Sequence, residues 1–274
     1  MLYRGMDRAQ LDVAYNNSAA VPERDAIVAG WAVRSAAIRR ERNGHLDLRY
    51  GEAPRERLDL FPAADPQAPT LAFIHGGYWQ MNDKDSFAFL AEGVVPNGIN
   101  LALVEYTLAP AARMDRIVAE LRRAVGWLAE HLGDYGADPD RLYVAGHSAG
   151  GHLTAMTMPL RAVRGGLAIS GIYDLEPIRL NYLNENLGLD PQEAERNSPL
   201  LHLPPMAGEL VVAYGTNELP ELCRQSIEYA QAWSERGLPG HLLPVAGADH
   251  FTILEALADP QGLLNRALAD MAAG

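Results

Sequence analysis

The chain has 274 residues, of which 48% are hydrophobic and 21% are charged, so it is long enough to bury the core of one sizeable α/β domain. Its 23 basic and 35 acidic residues give a formal net charge of -12, which opposes binding to nucleic-acid phosphates and to anionic membrane surfaces. The single cysteine, Cys223, excludes an internal disulfide and a cysteine-rich metal site. A charged start and the lack of any apolar stretch of bilayer length predict a soluble, cytoplasmic protein.

The first part of the chain is expected to be a helical arm. Residues 1–43 are polar and helix-prone, and apolar residues between Ile27 and Ile38 lie near the spacing of one helical face. Residues 45–51 and 57–61 then alternate apolar and polar side chains with period two. This alternation predicts an antiparallel strand pair with one solvated face.

From Thr70 onward, short apolar strands alternate with helical segments such as the amphipathic stretch 113–132. The predicted strands share continuous apolar character and cover 70–75, 99–106, 141–146, 166–170, 209–215 and 241–247. Strands buried on both faces and joined by helices indicate an α/β fold with a mostly parallel, doubly wound sheet. Because no linker divides the chain, we predict a single domain over 1–274, with 175–206 as an irregular excursion near the active-site mouth.

The segment GHSAGG matches the pattern G-x-S-x-G between a predicted strand and a predicted helix. Ser148 would occupy a sharp strand-to-helix turn, in which Gly146 and Gly150 let the backbone close without Cβ clashes. In parallel sheets, ligands bind beyond the carboxyl ends of the strands, which is where this serine would lie. We therefore predict that Ser148 is a nucleophile; the alternative is a helix start that matches the pattern by chance.

A serine nucleophile needs a general base. Among the eight histidines, His250 is the predicted base because it follows the last strand and starts a helix, which fits the chain order Ser, acid, His. The alternative for His250 is a helix-capping or surface role. His147 is expected to point away from the nucleophile across the turn, and His152 is expected to face along the following helix.

The acid that orients the base is expected after the strand 209–215. Glu218 and Glu221 are both candidates, and Glu218 is preferred because Glu221 fits the N-terminus of the next helix, where a carboxylate complements the helix dipole. Asp249 is adjacent to His250 and should project in another direction. Asp174 is interpreted as a turn or helix-capping residue.

Six segments of the chain occur in an order that is found in one group of enzymes: HGGYWQ (75–80), GHSAGGHL (146–153), SGIYDLEPI (170–178), NSPL (197–200), GTNELPELCRQS (215–226) and DHFTILEAL (249–257). Over nearly its whole length the chain thereby resembles kynurenine formamidase (arylformamidase) and the neighbouring hormone-sensitive-lipase-like esterases. The resemblance implies an α/β-hydrolase fold and a triad of Ser148, Glu218 and His250. The family usually has aspartate where this chain has Glu218, so the extra methylene leaves the triad geometry open.

An oxyanion hole is expected beside the nucleophile. The fold supplies one donor from the residue after the nucleophile, the Ala149 N–H, and further donors from the loop after the third strand. In the related esterases this loop reads H-G-G-G, and matching by position implies the N–H groups of Gly77 and Tyr78 as donors, with Gly76 making the turn. His75 is expected to brace the loop by hydrogen bonding.

The substrate-binding prediction rests on aromatic residues. Tyr78, Trp79 and Tyr173 are expected to line an apolar pocket, with Tyr15 and Trp31 of the arm as further candidates, although packing is the favoured role for Trp31. Such a pocket suits both small carboxylic esters and N-formylkynurenine.

The predicted reaction is hydrolysis through an acyl-enzyme, with no metal and no organic cofactor. A carboxylesterase is slightly favoured over a kynurenine formamidase. The hypothesis of another class, a non-catalytic ligand-binding protein on a hydrolase fold, is disfavoured because all three triad residues are present. The oligomeric state cannot be read from the sequence.

Overall fold

The computed structural model describes residues 1–274 and contains an eight-stranded sheet with the strand order β1-β2-β4-β3-β5-β6-β7-β8. The strands are β1 His45–Arg49, β2 Arg57–Phe61, β3 Thr70–Ile74, β4 Asn100–Val104, β5 Leu142–His147, β6 Val163–Ile169, β7 Glu209–Gly215 and β8 Gly240–Val245. Strand β2 runs antiparallel to both of its neighbours, and all other pairs are parallel. The predicted fold class, a mostly parallel sheet with an antiparallel N-terminal pair, is therefore confirmed.

Helices connect the strands. The α-helices are α1 Arg8–Ala14, α2 Asn17–Ala20, α3 Arg24–Glu41, α4 Ala91–Val94, α5 Met114–His131, α6 Ala149–Thr157, α7 Glu176–Arg179, α8 Asn184–Leu187, α9 Pro191–Arg196, α10 Pro220–Glu235, α11 Glu255–Ala258 and α12 Leu263–Ala273. Short 3₁₀ segments cover Lys84–Leu90, Val95–Asn97, Leu132–Tyr135, Pro199–Leu201 and Thr252–Leu254. None of these helices combines the length and the apolar character that crossing a membrane requires.

The core lies on both faces of the sheet. Along β3, Ala72 and Ile74 belong to one hydrophobic cluster, whereas Leu71 and Phe73 belong to the other. Because successive strand residues point to opposite faces, the two clusters occupy opposite sides of the sheet. This two-sided burial explains why β3 to β7 are continuously apolar, whereas β8, at the edge of the sheet, has one buried residue of six.

The first strand pair departs from the expectation of one solvated face. Strand β1 is largely exposed, but four of the five residues of β2 are buried, including the charged Asp59. Arg39 of α3 forms an ion pair with Asp59, and Lys84 Nζ lies 2.8 Å from Asp59 Oδ1. The polar position of the alternation therefore marks a buried ion pair and not contact with water.

Lys84 is the only lysine of the chain, and its side chain is 5% exposed. Its ammonium group contacts three carboxylates, at 2.9 Å from Asp47, 2.8 Å from Asp59 and 2.7 Å from Asp85. A buried charge is tolerated only when it is paired, so these contacts keep Lys84 in place. They thereby hold the 3₁₀ segment Lys84–Leu90 against the antiparallel strands β1 and β2.

We expect the substitution Lys84→Met to lower the free energy of unfolding by about 3 kcal/mol, because it leaves the buried Asp59 carboxylate with fewer positive partners. Urea denaturation at pH 7 measures the change. Arg164→Met is the matched control, because the Arg164 pair with Asp140 is solvent-exposed and should change stability by less than about 1 kcal/mol. Equal effects of the two substitutions would contradict the interpretation.

Candidate active site

Ser148 lies at the turn between β5 and α6, with φ 59° and ψ -117°. A positive φ is uncommon for a residue with a side chain and is typical of a strained functional turn. The turn packs tightly on β3, because a Cβ at Gly150 would lie only 1.9 Å from the main-chain oxygen of Ile74. Glycine at position 150 therefore allows the start of α6 to approach β3, and this approach presents Ser148 at the carboxyl edge of the sheet.

The predicted acid and base are in direct contact. Nδ1 of His250, in the loop after β8, lies 2.7 Å from Oε2 of Glu218, in the loop after β7. The other oxygen of Glu218 accepts hydrogen bonds from Ser170 Oγ at 2.5 Å and from the Gly215 N–H at 2.6 Å. The longer glutamate side chain thus folds back onto the end of its own strand, and its carboxylate is positioned to orient the His250 ring.

The other acids that the sequence offered have different partners. Glu221 forms an ion pair with Arg224 at 2.8 Å. Asp249 accepts a hydrogen bond from the Thr252 N–H at 2.9 Å, and Asp174 accepts one from a main-chain N–H at the start of α7. Of the four carboxylates, Glu218 is the one that contacts the ring of the predicted base.

His147 does not point away from the site, which corrects the sequence-based expectation. Its ring centroid lies 4.6 Å from that of His250, and its Nε2 donates a hydrogen bond to the His250 main-chain oxygen at 2.7 Å. Burial and the neighbouring His250 hold the pKa of His147 well below its usual range. His147 is therefore a neutral donor that supports the backbone of His250, a contact that depends on how the loop after β8 folds over β5.

The loop after β3 leaves donors unpaired beside Ser148. Gly77, Tyr78 and Trp79 all have positive φ values, of 114°, 48° and 59°. The N–H groups of Gly77, Tyr78 and Ala149 form no hydrogen bond with any acceptor of the protein. Unpaired, preorganised N–H groups are what a developing oxyanion requires.

The three aromatic residues predicted to bind substrate lie in different places. Tyr78 lines the cavity that Ser148 and His250 also line. Trp79 is fully buried and donates a hydrogen bond to His152, whereas Tyr173 is fully buried and stacks on Tyr229 at 4.2 Å. The expectation for Trp79 and Tyr173 is therefore corrected: both pack the core behind the site, where His152 holds Trp79 and Tyr229 holds Tyr173.

The cavity has a volume of about 80 Å³ and is lined by Ser148, His250 and the loop after β3. The N-terminal arm forms another wall, with Asn17, Ser18, Arg24, Val28 and Trp31. Trp31 also stacks on Phe89 at 5.2 Å, so it both lines the cavity and packs the core. The polar residues of this wall have no signal in the sequence, because a polar residue at a helix start resembles an ordinary surface residue.

Two polar atoms of the arm wall have no partner. Asn17 Nδ2 donates to the Tyr78 hydroxyl at 3.0 Å, and that hydroxyl donates to the Tyr15 main-chain oxygen at 2.6 Å, which fixes the orientation of the Asn17 amide. Asn17 Oδ1 and Arg24 Nε are both buried without a hydrogen bond. Since buried polar atoms are normally paired, the arm wall contains one acceptor and one donor whose hydrogen bonds are not satisfied within the protein.

Comparison with known proteins places the chain among hydrolases. The BD-FAE family matches residues 58–165. The kynurenine formamidase of Danio rerio is 33% identical and covers 98% of each chain. A solved structure from Silicibacter sp. tm1040 is 29% identical, with a TM-score of 0.86 over 97% of this chain and 99% of that chain. The carboxylesterase EstE1, cloned from a metagenomic library, shares the fold, with a TM-score of 0.73 at 18% identity over 95% of this chain and 98% of that chain. The resemblance inferred from the six sequence segments is thereby confirmed, as is the prediction of an enzyme.

His152 provides a test of the packing behind the site. Its ring is fully buried, accepts a hydrogen bond from Trp79 and donates one to the Asn197 main-chain oxygen at 2.8 Å. Burial lowers its pKa from 6.5 to about 4. Between pH 6.5 and pH 4, His152 is protonated in the unfolded chain but neutral in the folded chain. The free energy of unfolding should therefore fall by about 3 kcal/mol as the pH is lowered over this range.

Denaturation at a series of pH values measures this loss. In His152→Asn, which cannot titrate, we expect part of the pH dependence to disappear, while the contribution of other groups remains. An unchanged slope in the variant would contradict a neutral, buried His152.

Proposed function

We propose that this chain, which belongs to the kynurenine formamidase family of α/β-hydrolases, cleaves small carboxylic esters and aryl formamides through an acyl-enzyme on Ser148. One observation carries the proposal: the 2.7 Å hydrogen bond between His250 and Glu218, made beside a cavity that Ser148 also lines. A base held by a buried carboxylate next to a strained serine turn has the parts that nucleophilic catalysis needs.

In the proposed first half-reaction, His250 accepts the proton of Ser148 as the serine oxygen attacks the carbonyl carbon. The same proton then passes from His250 to the departing alcohol or amine, which leaves an acyl group on Ser148. In the second half-reaction, His250 takes a proton from water as the water oxygen attacks the acyl carbon. His250 then gives this proton to the Ser148 oxygen as the acyl–serine bond breaks and the acid leaves. Glu218 keeps Nδ1 protonated and stabilises the imidazolium at each step.

The proposed oxyanion hole consists of the N–H groups of Gly77, Tyr78 and Ala149. Their lack of protein acceptors supports this role, because each can donate to the substrate oxygen as negative charge develops. The cavity of about 80 Å³ is small compared with the ~300–1,000 Å³ of sites for drug-sized ligands. The acyl group is therefore proposed to be small, such as formyl, acetyl or butyryl.

The unpaired atoms of the arm wall favour N-formylkynurenine as a second, more specific candidate. This compound has an α-amino acid group, whose ammonium could donate to Asn17 Oδ1 and whose carboxylate could accept from Arg24 Nε. Simple esters offer neither contact. The ratio of kcat/KM for N-formylkynurenine to that for p-nitrophenyl acetate and butyrate tests the order of the two candidates; a strong preference for the formamide would reverse the initial preference for an esterase.

We expect Ser148→Ala to fold normally and to lose activity by several orders of magnitude, because it removes the nucleophile. Far-ultraviolet circular dichroism and steady-state kinetics measure the two properties. A fluorophosphonate probe should label the wild-type chain at Ser148 and leave the variant unlabelled. Wild-type protein that resists labelling would favour the non-catalytic, ligand-binding alternative.

We expect Arg24→Gln to lower kcat/KM for N-formylkynurenine by about 10- to 100-fold and to change it little for p-nitrophenyl acetate, because hydrogen bonds to charged groups contribute ~1.5–3 kcal/mol. The control is Arg40→Gln on the same helix, whose side chain is 70% exposed and lies outside the cavity. Equal losses on both substrates would contradict a specific role for Arg24.

A cytoplasmic location, and the lack of nucleic-acid and membrane partners, remain predictions from composition and charge.

A further inference from the structure

His75, at the carboxyl end of β3, has an acceptor at each ring nitrogen. Its Nδ1 lies 2.8 Å from the Gly76 main-chain oxygen, and its Nε2 lies 2.9 Å from Oε1 of Glu105. The side chain is 1% exposed, so neither nitrogen exchanges its partner for water. Because a carbonyl and an ionised carboxylate can only accept, both contacts are hydrogen bonds only if both nitrogens carry a proton.

Glu105 is held in its ionised form by its surroundings. Burial alone would raise its pKa, but the hydrogen bond with His75, the charge of Arg55 and the hydrogen bond from the Tyr106 N–H hold the pKa below its usual range. Arg55 lies 2.6 Å from Oε1, and the main-chain N–H groups of Lys84 and Tyr106 donate to the two oxygens at 3.1 and 3.0 Å. The carboxylate is thus surrounded by donors.

The faces of the His75 ring also favour a positive charge. Tyr106 stacks on it with a centroid distance of 4.4 Å and an angle of 13° between the planes, and Phe87 stacks on it at 5.9 Å and 17°. An aromatic face attracts a cation within about 6 Å. Burial raises the pKa of Tyr106, so its hydroxyl is neutral and contributes no opposing charge.

The Gly76 oxygen belongs to the same peptide unit as the Gly77 N–H. In a trans peptide these two groups point in opposite directions, so a donor that holds the oxygen also sets the direction of the N–H. Asn82 Nδ2 donates to the same oxygen at 3.2 Å. Donors on a carbonyl polarise the amide and make its N–H a stronger donor.

We propose that His75 is a permanent imidazolium, paired with Glu105, that positions and polarises the Gly76–Gly77 peptide so that the Gly77 N–H binds the oxyanion. His75 is a positioning residue, since it acts on the reaction through this peptide. This inference rests on the proposed function in one respect: the anion that the Gly77 N–H binds is the oxyanion of the proposed reaction. The charged and titratable groups around the ring are Glu105, Arg55, Asp83, the stacked Tyr106 and, across the turn, His147.

The protonation of His75 can be read directly in the wild-type protein. In a ¹⁵N spectrum of histidine-labelled protein at pH 7.5, both His75 nitrogens should carry protons, and His75→Asn identifies the signals by their loss. His147 and His152 are internal references, because burial keeps both neutral and each donates from Nε2 to a main-chain oxygen. An unprotonated nitrogen on His75 overturns the proposal, whatever the activity of the enzyme.

Two substitutions separate the contacts of His75. His75→Asn retains an N–H near the position of Nδ1, whereas His75→Gln retains one near the position of Nε2. If support of the Gly76 oxygen is what matters, His75→Asn should keep about tenfold more kcat than His75→Gln, and the affinity for a trifluoromethyl ketone should follow kcat. Equal losses in the two variants contradict this role.

Glu105→Gln tests the charge. We expect kcat to fall about tenfold with KM nearly unchanged, because a weaker oxyanion donor affects the transition state more than the bound substrate. Glu56→Gln is the matched control, since Glu56 is also buried and paired with an arginine but contacts Arg123 and not His75. A loss in Glu105→Gln no larger than in the control overturns the charge effect. Wild-type protein without hydrolase activity would refute the proposed function, and the ¹⁵N spectrum would still decide the state of His75.

Discussion

The structure depends on one constraint: three main-chain N–H groups must stay unpaired inside a site that is otherwise buried. Such groups are costly, and a chain left to itself would pair them with its own oxygens. Here the left-handed backbone of Gly77 and Tyr78 and the first turn of α6 at Ala149 keep them without partners. The tight packing of β3, β5 and α6 around Gly150 keeps these groups close together.

The loops that hold this arrangement are joined by a small number of polar contacts. Tyr78 links the loop after β3 to the N-terminal arm through the Tyr15 oxygen, and Trp79 links the same loop through His152 to the segment that contains Asn197. The aromatic residues of the loop therefore serve mainly to fix its backbone. This role explains why bulky side chains follow two glycines, which a loop that only reverses direction would not need.

The sequence predicted the features that have a local signal. The strands from Thr70 onward, the turn at Ser148 and the Glu218–His250 pair follow from apolar runs, from G-x-S-x-G and from chain order, and the structure brings the pair together at 2.7 Å. The sequence could not predict where the His147 side chain points, nor which arm residues line the cavity, because both depend on packing between distant segments. The predicted solvated face at Asp59 was wrong for the same reason, because a period-two pattern does not show whether a polar side chain contacts water or a buried ion partner.

The enclosure of Lys84 has a chemical consequence. The chain has 22 arginines and this one lysine, so its only ε-amino group is the one held among the three carboxylates beside β2. Acylating reagents, amine-directed cross-linkers and fluorescent esters need a free, deprotonated amine, which a buried ammonium ion in contact with aspartates does not provide. Labelling of Lys84 would therefore report local opening of the segment Lys84–Leu90, and its rate would measure how often that segment detaches from the sheet.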